Sequence, residues 1–398
     1  DSLTCCATIR PSLSRVDREG LMYLRFRFDF SSATHNALVD RNDEARWKRR
    51  DEGNTMLKPV QLGSNSGLRV SQLALGTMNF GEPGRGHQSD WTLDADQARP
   101  IFRAAFDHGL FTFDCANIYG IGACEQVVGK LLRELAPRDQ YVIGTKVSMA
   151  MGDGANQLGL SRKHIMESVD ASLTRLGVDY IDQLVIHRHP HGIPGHVETP
   201  ITETMEALHD VVKAGKVLYL GGSSMFAWQF TELQMTAEQN GWTKFISMQN
   251  HYNLIYREEE REMNQYCAKT GVGLMPWSPL ARGILAGSYK GGLDKGQTTR
   301  SSGVDSKRTG MLYRGEMDFA IADRVVEVAA KYGKTPAQIS VAWLLNKPEI
   351  HAPVVGVSKI SQLDQLVDAC DITLEPDDVT YLEELYKPVE NLLSIGYS

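Results

Sequence analysis

The sequence predicts an α/β protein folded as a (β/α)8 barrel, with an N-terminal β-hairpin and a long loop after strand seven. Two observations lead there: eight short apolar runs, and amphipathic helical stretches between them. The runs cover residues 73–76, 111–114, 141–145, 181–186, 217–221, 245–249, 272–276 and 352–355. They lack period-two alternation, as strands buried on both faces of a parallel sheet do. Eight strand–helix alternations in roughly 300 residues fit a TIM barrel, which gathers every strand's carboxyl end at one face, where active sites form. A doubly wound sheet would instead want a Gly-rich phosphate turn after an early strand. The nearest candidate, Gly120-Ile121-Gly122-Ala123-Cys124-Glu125, lacks the third glycine.

Taken in order, residues 1–55 carry a basic cluster (Arg46, Lys48, Arg49, Arg50) without helix-capping logic and are expected to form a poorly structured N-terminal extension. Asp17, Glu19, Asp40, Asp43 and Glu44 argue against an acid-poor transit peptide. The barrel domain is placed at residues 56–398, beginning at Met56. Val60-Gln61-Leu62 and Leu68-Arg69-Val70 flank a Gly/Ser/Asn turn and predict a hairpin, placed at the barrel floor. Ser161 opens a helix whose Ile165, Val169 and Leu173 share a face, and Gly177 ends it. Another helix runs to Gly215 with Met205, Leu208 and Val212 inward, and Thr335-Pro336-Ala337-Gln338 forms a capping box with proline at the first helical position. The stretch 283–314, rich in Gly, Ser, Lys and Arg, is too long for a plain connector. It reads equally as a mobile loop over a ligand and as a disordered insertion.

With 398 residues, 42% hydrophobic and 23% charged, the composition is that of an ordinary globular chain. A net charge of -7 gives no reason to expect a nucleic-acid partner. The six cysteines (Cys5, Cys6, Cys115, Cys124, Cys267, Cys370) lack zinc-ligand spacing and fit a reduced, cytoplasmic setting. No apolar run approaches the roughly 20 residues needed to span a bilayer, so no membrane partner is expected.

The chemistry follows the strand ends. Asp114 closes the second run, Tyr119 follows in its loop, Lys146 ends the third and His187 ends the fourth. Neighbouring barrel strands put such side chains into one pocket. A phenol, with an ordinary pKa of about 10, is a poor proton donor near neutrality unless its anion is stabilised. Lys146 would favour that anion, Asp114 would hold Lys146 charged and in place, and His187 would orient a carbonyl oxygen or relay a proton. Such a set is acid–base machinery for a carbonyl.

These residues sit in motifs that resemble the aldo-keto reductases: Phe113-Asp114-Cys115-Ala116-Asn117-Ile118-Tyr119-Gly120, Glu125 and Gly129, Gly144-Thr145-Lys146, and Val185-Ile186-His187-Arg188. The likeness extends over about residues 57–388 and includes Leu75-Gly76-Thr77-Met78, Gly221-Gly222-Ser223-Ser224-Met225, Met248-Gln249-Asn250, the run Trp277-Ser278-Pro279-Leu280-Ala281-Arg282-Gly283, and Gly356-Val357-Ser358-Lys359. The resemblance implies that Asp114, Tyr119, Lys146 and His187 form a catalytic tetrad reducing an aldehyde or ketone reversibly with NADPH. It also implies a cofactor stretched across the barrel mouth. Ser223, Ser224 and Gln249 would bond its carboxamide, Trp277 would stack on its ring, and Thr77 and Met78 would line that end. Ser278, Pro279, Leu280, Arg282 and Gly283 would follow the pyrophosphate. Gly356, Ser358 and Lys359 lie before a helix read as capped by Ser361 and Asp364, where a phosphate would meet amides and a cation. That site, with Arg300 in the long loop, favours NADPH over NADH, and Gln362 would sit near the adenosine. Leu366 and Gln362 depart from the residues many relatives carry there.

Other features have simpler readings. His187, His189, His191 and His196 resemble a metal cluster, but such sites need ligands on further strands where Lys146 and Tyr119 stand, so no metal is expected. Cys115 is a small packing residue, and Glu258-Glu259-Glu260-Arg261-Glu262 is a solvated helix start. Potassium-channel β subunits share the family's barrel and tetrad, so a cofactor-sensing regulatory subunit is the competing reading. Specificity for a small carbonyl or alcohol is assigned to the loops at 82–91, at 189–198 and after 283.

Overall fold

A computed structural model describes residues 56–86, 88–89, 91–189, 198–289, 309–313 and 315–388. The expected N-terminal extension, Arg300, His191 and His196 lie outside the described residues.

Val60 pairs with Val70 where β1 (Pro59–Gln61) and β2 (Arg69–Ser71) form the expected hairpin. Eight parallel strands follow: β3 (Ala74–Gly76), β4 (Thr112–Asp114), β5 (Val142–Val147), β6 (Ile181–Ile186), β7 (Val217–Ser223), β8 (Phe245–Gln249), β9 (Gly273–Leu274) and β10 (Val354–Val355). Their order is sequential from β3 to β9, with β10 beside β3. The seam between β9 and β10 is joined by single parallel bridges, Leu274 to Ile350 and Trp277 to Val354. These two strands are shorter than the apolar runs at 272–276 and 352–355. Pro276 and Pro353 have no amide to give to a ladder, so regular pairing stops there.

The hairpin covers the barrel floor. Leu62 and Val70 pack with Ala74, Ile246, Met275, Ala352 and Val354 in a cluster separate from the main core. Gly63 permits this approach: its φ is +70°, and a Cβ there would sit 2.2 Å from the Gly271 carbonyl oxygen.

Helices surround the sheet: α1 (Ala95–Asp107), α2 (Ala123–Leu135), α3 (Arg162–Leu176), α4 (Ile201–Lys213), α5 (Ala227–Asn240), α6 (Met263–Thr270), α7 (Glu316–Tyr332), α8 (Pro336–Leu345), α9 (Ile360–Asp368) and α10 (Pro376–Glu383). The Ser161 hydroxyl accepts from His164 N, and Gly177 ends α3 at φ 65°. Thr335 and Gln338 form the expected capping box on α8. In α4, Met205 and Leu208 are fully buried and Val212 partly so. Against expectation, Ser361 and Asp364 lie inside α9, whose cap is Lys359 without a side-chain bond. Asp364 instead accepts from His108 at 2.8 Å.

The stretch of glutamates also differs from its expectation. It forms a 3-10 turn, Glu258–Glu260, ahead of α6. Glu260 accepts from Arg257 and Tyr252, and burial pushes Glu259 up to about 7. Among the described residues no helix is long and apolar enough to cross a membrane.

Two family-motif residues join α2 to its neighbours. A Cβ on Gly129 would sit 2.1 Å from the Leu176 carbonyl oxygen, so only glycine lets α2 and α3 meet. Glu125, fully buried, accepts from Arg175 Nε on α3 and from the Thr145 hydroxyl on β5, each at 2.6 Å. That ties the helix pair to the strand carrying Lys146.

Candidate active site

Register decides which side chains share the barrel mouth. Asp114 at the end of β4 pairs with Gly144 of β5, and Lys146 lies two residues on, on the same side of its strand. Lys146 is 1% exposed, and its Nζ donates to Asp114 Oδ2 at 2.6 Å and to the Cys115 carbonyl at 2.7 Å. The other Asp114 oxygen accepts from Gln249 Nε2 on β8 at 2.9 Å, so the carboxylate is held from both sides. Tyr119 stands in the turn after β4, its ring centroid 5.3 Å from Lys146 Nζ. The His187 ring meets it edge-on, with centroids 5.9 Å apart. The four residues singled out from the sequence are thus brought together.

Their electrostatics assign protonation states. Burial works against the Lys146 ammonium, yet attraction to the Asp114 carboxylate, with that of the Tyr119 phenolate once it forms, holds the amine above its ordinary range. Burial pushes the Tyr119 phenol up, further than the Lys146 charge pulls it down. The expected lowering by Lys146 is therefore present but overridden, and the phenol rests protonated. Burial, then the charges of Lys146 and Arg188, hold His187 well below the ordinary histidine range, so its imidazole is neutral.

The wall of the mouth comes from β7, β8 and the turn after β9. Ser223 is buried with its hydroxyl 3.4 Å from that of Ser224. Ser224, in the left-handed region at φ 48°, accepts from Trp277 Nε1 at 2.8 Å, so its hydroxyl anchors the indole. Trp277 lies flat on His251, centroids 4.2 Å apart at 10°, and His251 lies flat on Tyr256, also at 4.2 Å. His251 Nε2 is bonded to the Tyr313 hydroxyl at 2.5 Å. Ser278 and Arg282 also take positive φ, 55° and 56°, with Gly283 at 102°, a cluster of strained backbone of the kind found at ligand sites. Pro279 is buried, and Ser278 and Leu280 are half-buried.

The remaining expected cofactor residues divide. The Thr77 hydroxyl is fully buried and donates to the Asp114 carbonyl at 2.9 Å, so it braces the site from below. Met78 is half-buried at the rim. Gly356, Ser358 and Lys359 are exposed, and Gln362 accepts from the Ser358 amide at 2.8 Å. Arg282 Nε donates to Thr309 Oγ1 at 3.2 Å. No set of three or more His, Cys, Asp or Glu among the described residues could hold a metal ion.

Arg188 and Asn117, which stand in the family motifs without an assigned role, and His251, which stands outside them, also belong to the site. The side-chain amide of Asn117 is fully buried and finds no partner within the described chain, nor does His187 Nδ1, a demand that water or a ligand must meet. Only the position of His251 two residues after Gln249 could have drawn attention to it. A nicotinamide fits what is present: hydroxyl and amide groups at Ser223 and Gln249 beside a flat, backed indole.

The eight-stranded barrel gathers a phenol, an ammonium, a carboxylate and an imidazole at the carboxyl ends of its strands. The chain belongs to the aldo/keto reductase family, which it matches over residues 72–387. It is 45% identical to a Schizosaccharomyces pombe protein provisionally named an aryl-alcohol dehydrogenase, over 82% of this chain and 95% of the relative. It is 42% identical to the versiconal hemiacetal acetate reductase of Aspergillus parasiticus, over 81% and 96%, and 42% identical to an aldo-keto reductase of Alternaria alternata, over 81% and 90%. It is an oxidoreductase of that family.

Proposed function

We propose that this chain reduces an aldehyde or ketone to the alcohol with NADPH, and runs the reverse oxidation, with Tyr119 as the proton donor. The observation that carries the reading is a half-buried, protonated phenol whose ring centroid lies 5.3 Å from an ammonium fixed by a carboxylate. A bound NADPH would supply the hydride to the carbonyl carbon. Tyr119 delivers its proton to the oxygen, and the Lys146 charge stabilises the phenolate left behind. Asp114 keeps Lys146 charged and aimed, while neutral His187 hydrogen-bonds the carbonyl oxygen without competing for the proton. Gln249 already donates to Asp114, so its side-chain oxygen is what it offers a carboxamide, beside the Ser223 hydroxyl. Ser224 and His251 fix the Trp277 plane on which the ring lies.

Arg282, Lys359 and Ser358 are the groups for the cofactor's phosphates, and the cation beside α9 supports NADP over NAD. The names of the relatives point to aromatic carbonyls and alcohols as substrates. The reading treats residues 56–398 as the catalytic barrel and 1–55 as an extension, in a reduced, cytoplasmic setting consistent with the free Cys115, Cys124, Cys267 and Cys370. Its test is a panel of aromatic and aliphatic aldehydes and ketones, followed by NADPH absorbance. Turnover with aromatic aldehydes is expected. Tight NADPH binding with negligible turnover on every carbonyl would instead indicate a cofactor sensor.

A further inference from the structure

Arg188 follows His187 directly after β6, and no role in the chemistry above falls to it. Its backbone amide donates to Ser148 Oγ at 3.1 Å. Its guanidinium is turned into the mouth, with Nη1 donating to the His187 carbonyl at 2.6 Å and reaching the Ser223 hydroxyl at 3.5 Å. The guanidinium carbon lies 5.8 Å from the centroid of the Trp277 ring. Three other partly buried arginines, by contrast, have acids: Arg138 has Asp182, Arg175 has Glu125, and Arg257 has Glu260 and Glu383. Among the described residues Arg188 has no carboxylate. Asp114, the acid of the site, is engaged by Lys146 and Gln249.

Among the described residues this leaves the Arg188 charge uncancelled beside Ser223 and Trp277. Lys146 and Asp114 cancel, the Tyr119 phenol is protonated, and His187 and His251 are neutral. The Arg188 charge is felt across the site: it helps hold down both imidazoles, after burial. Burial in turn lowers Arg188 itself, as expected of a cation that has lost water without gaining an anion.

A nicotinamide ring is neutral when reduced. Loss of hydride, two electrons with one proton, leaves it with a positive charge. We propose that Arg188 sets the redox preference of the bound cofactor: its guanidinium, sharing Ser223 and Trp277 with the nicotinamide, repels the oxidised ring and so weakens NADP+ binding relative to NADPH. The proposal rests on the reading that places the nicotinamide against those two residues. Its consequence for the cycle is twofold. The enzyme fills with reduced cofactor in a mixed pool, and it releases oxidised cofactor readily after each reduction.

The test is calorimetric titration of the full chain with NADPH and with NADP+, without substrate. The wild-type protein is expected to bind NADPH at least about tenfold more tightly, the size of effect that like charges several ångströms apart produce at a partly screened site. Arg188→Gln should cut that preference by about tenfold, chiefly by tightening NADP+, while Arg188→Lys should keep most of it. Equal wild-type affinities for the two forms would overturn the proposal, and that measurement needs no variant. So would an unchanged ratio in Arg188→Gln, including the case where that variant loses only turnover with carboxylate-bearing aldehydes, which would make Arg188 a reader of substrate charge. A wild-type chain binding neither form fails differently, since it removes the nicotinamide site itself.

Discussion

Replacing Lys146 by methionine keeps the length of the side chain and deletes its charge. In the folded protein that charge is 1% exposed and bonded to Asp114 at 2.6 Å. Breaking a buried pair from one side costs about 3–5 kcal/mol, because the other charge stays behind without its partner. Gln249 still donates to Asp114, which favours the lower end of that range. The same deletion acts on the chemistry. A unit charge 5.3 Å from the phenol ring contributes about 3 kcal/mol at an effective dielectric of about 20, equivalent to about two pKa units. Lys146→Met should therefore lower the rate of carbonyl reduction about a hundredfold. Urea unfolding with single-turnover kinetics separates the two losses. Adding Asp114→Asn should recover most of the stability and none of the rate. Because the folded-state pKa of Lys146 is raised, its contribution is complete below the ordinary lysine value of 10.5 and is lost as pH climbs through the folded value. The stability gap between wild type and Lys146→Met should thus stay constant from about pH 6 to about pH 9 and close only in stronger alkali. A variant rate within a few-fold of wild type, or a double variant no more stable than the single, would refute this reasoning.

His251 gives a pH test of a different sign. Burial, with the charges of Arg188 and Arg282, lowers it to about 3, so below the ordinary value of 6.5 the unfolded chain takes up a proton that the folded chain refuses. Stability should fall as pH drops below that value, and His251→Phe should flatten the fall, seen in denaturant midpoints between about pH 7 and about pH 5. Gly129→Ala forces a methyl group against the Leu176 carbonyl and should cost at least about 1–3 kcal/mol in thermal unfolding, with NADPH affinity unchanged.

The legible parts of the fold were those fixed by local chemistry. The apolar runs at Ile181–Ile186 and Phe245–Gln249 are strands with those same limits. The Thr335 capping box appears as read because its partners are three residues apart. The start of α9 misled because Ser361 and Asp364 have cap-forming side chains, but the chain enters the helix at Ile360 and Gln362 turns back to Ser358. The tetrad was legible because strand ends in a barrel converge by topology alone. The ring pile of Tyr256, His251 and Trp277 was not, since it joins the loop after β8 to the turn after β9 and depends on how those segments pack. Ser224 illustrates the same limit. Its neighbour Ser223 faces the mouth, whereas a left-handed backbone at Ser224 turns its hydroxyl to the indole. The charge run at 258–262 hid a half-buried carboxyl, because residue type says nothing of what packs above it.

In the proposed reaction the Tyr119 phenol gives its proton to the substrate while other groups hold the cofactor. Tyr119→Phe, measured in parallel for NADPH affinity and for turnover of an aromatic aldehyde, addresses both halves at once. NADPH affinity within a few-fold of wild type is expected, with turnover lower by about 10²–10⁴, the usual contribution of a general acid. Turnover near the wild-type level in that variant would contradict proton donation by Tyr119.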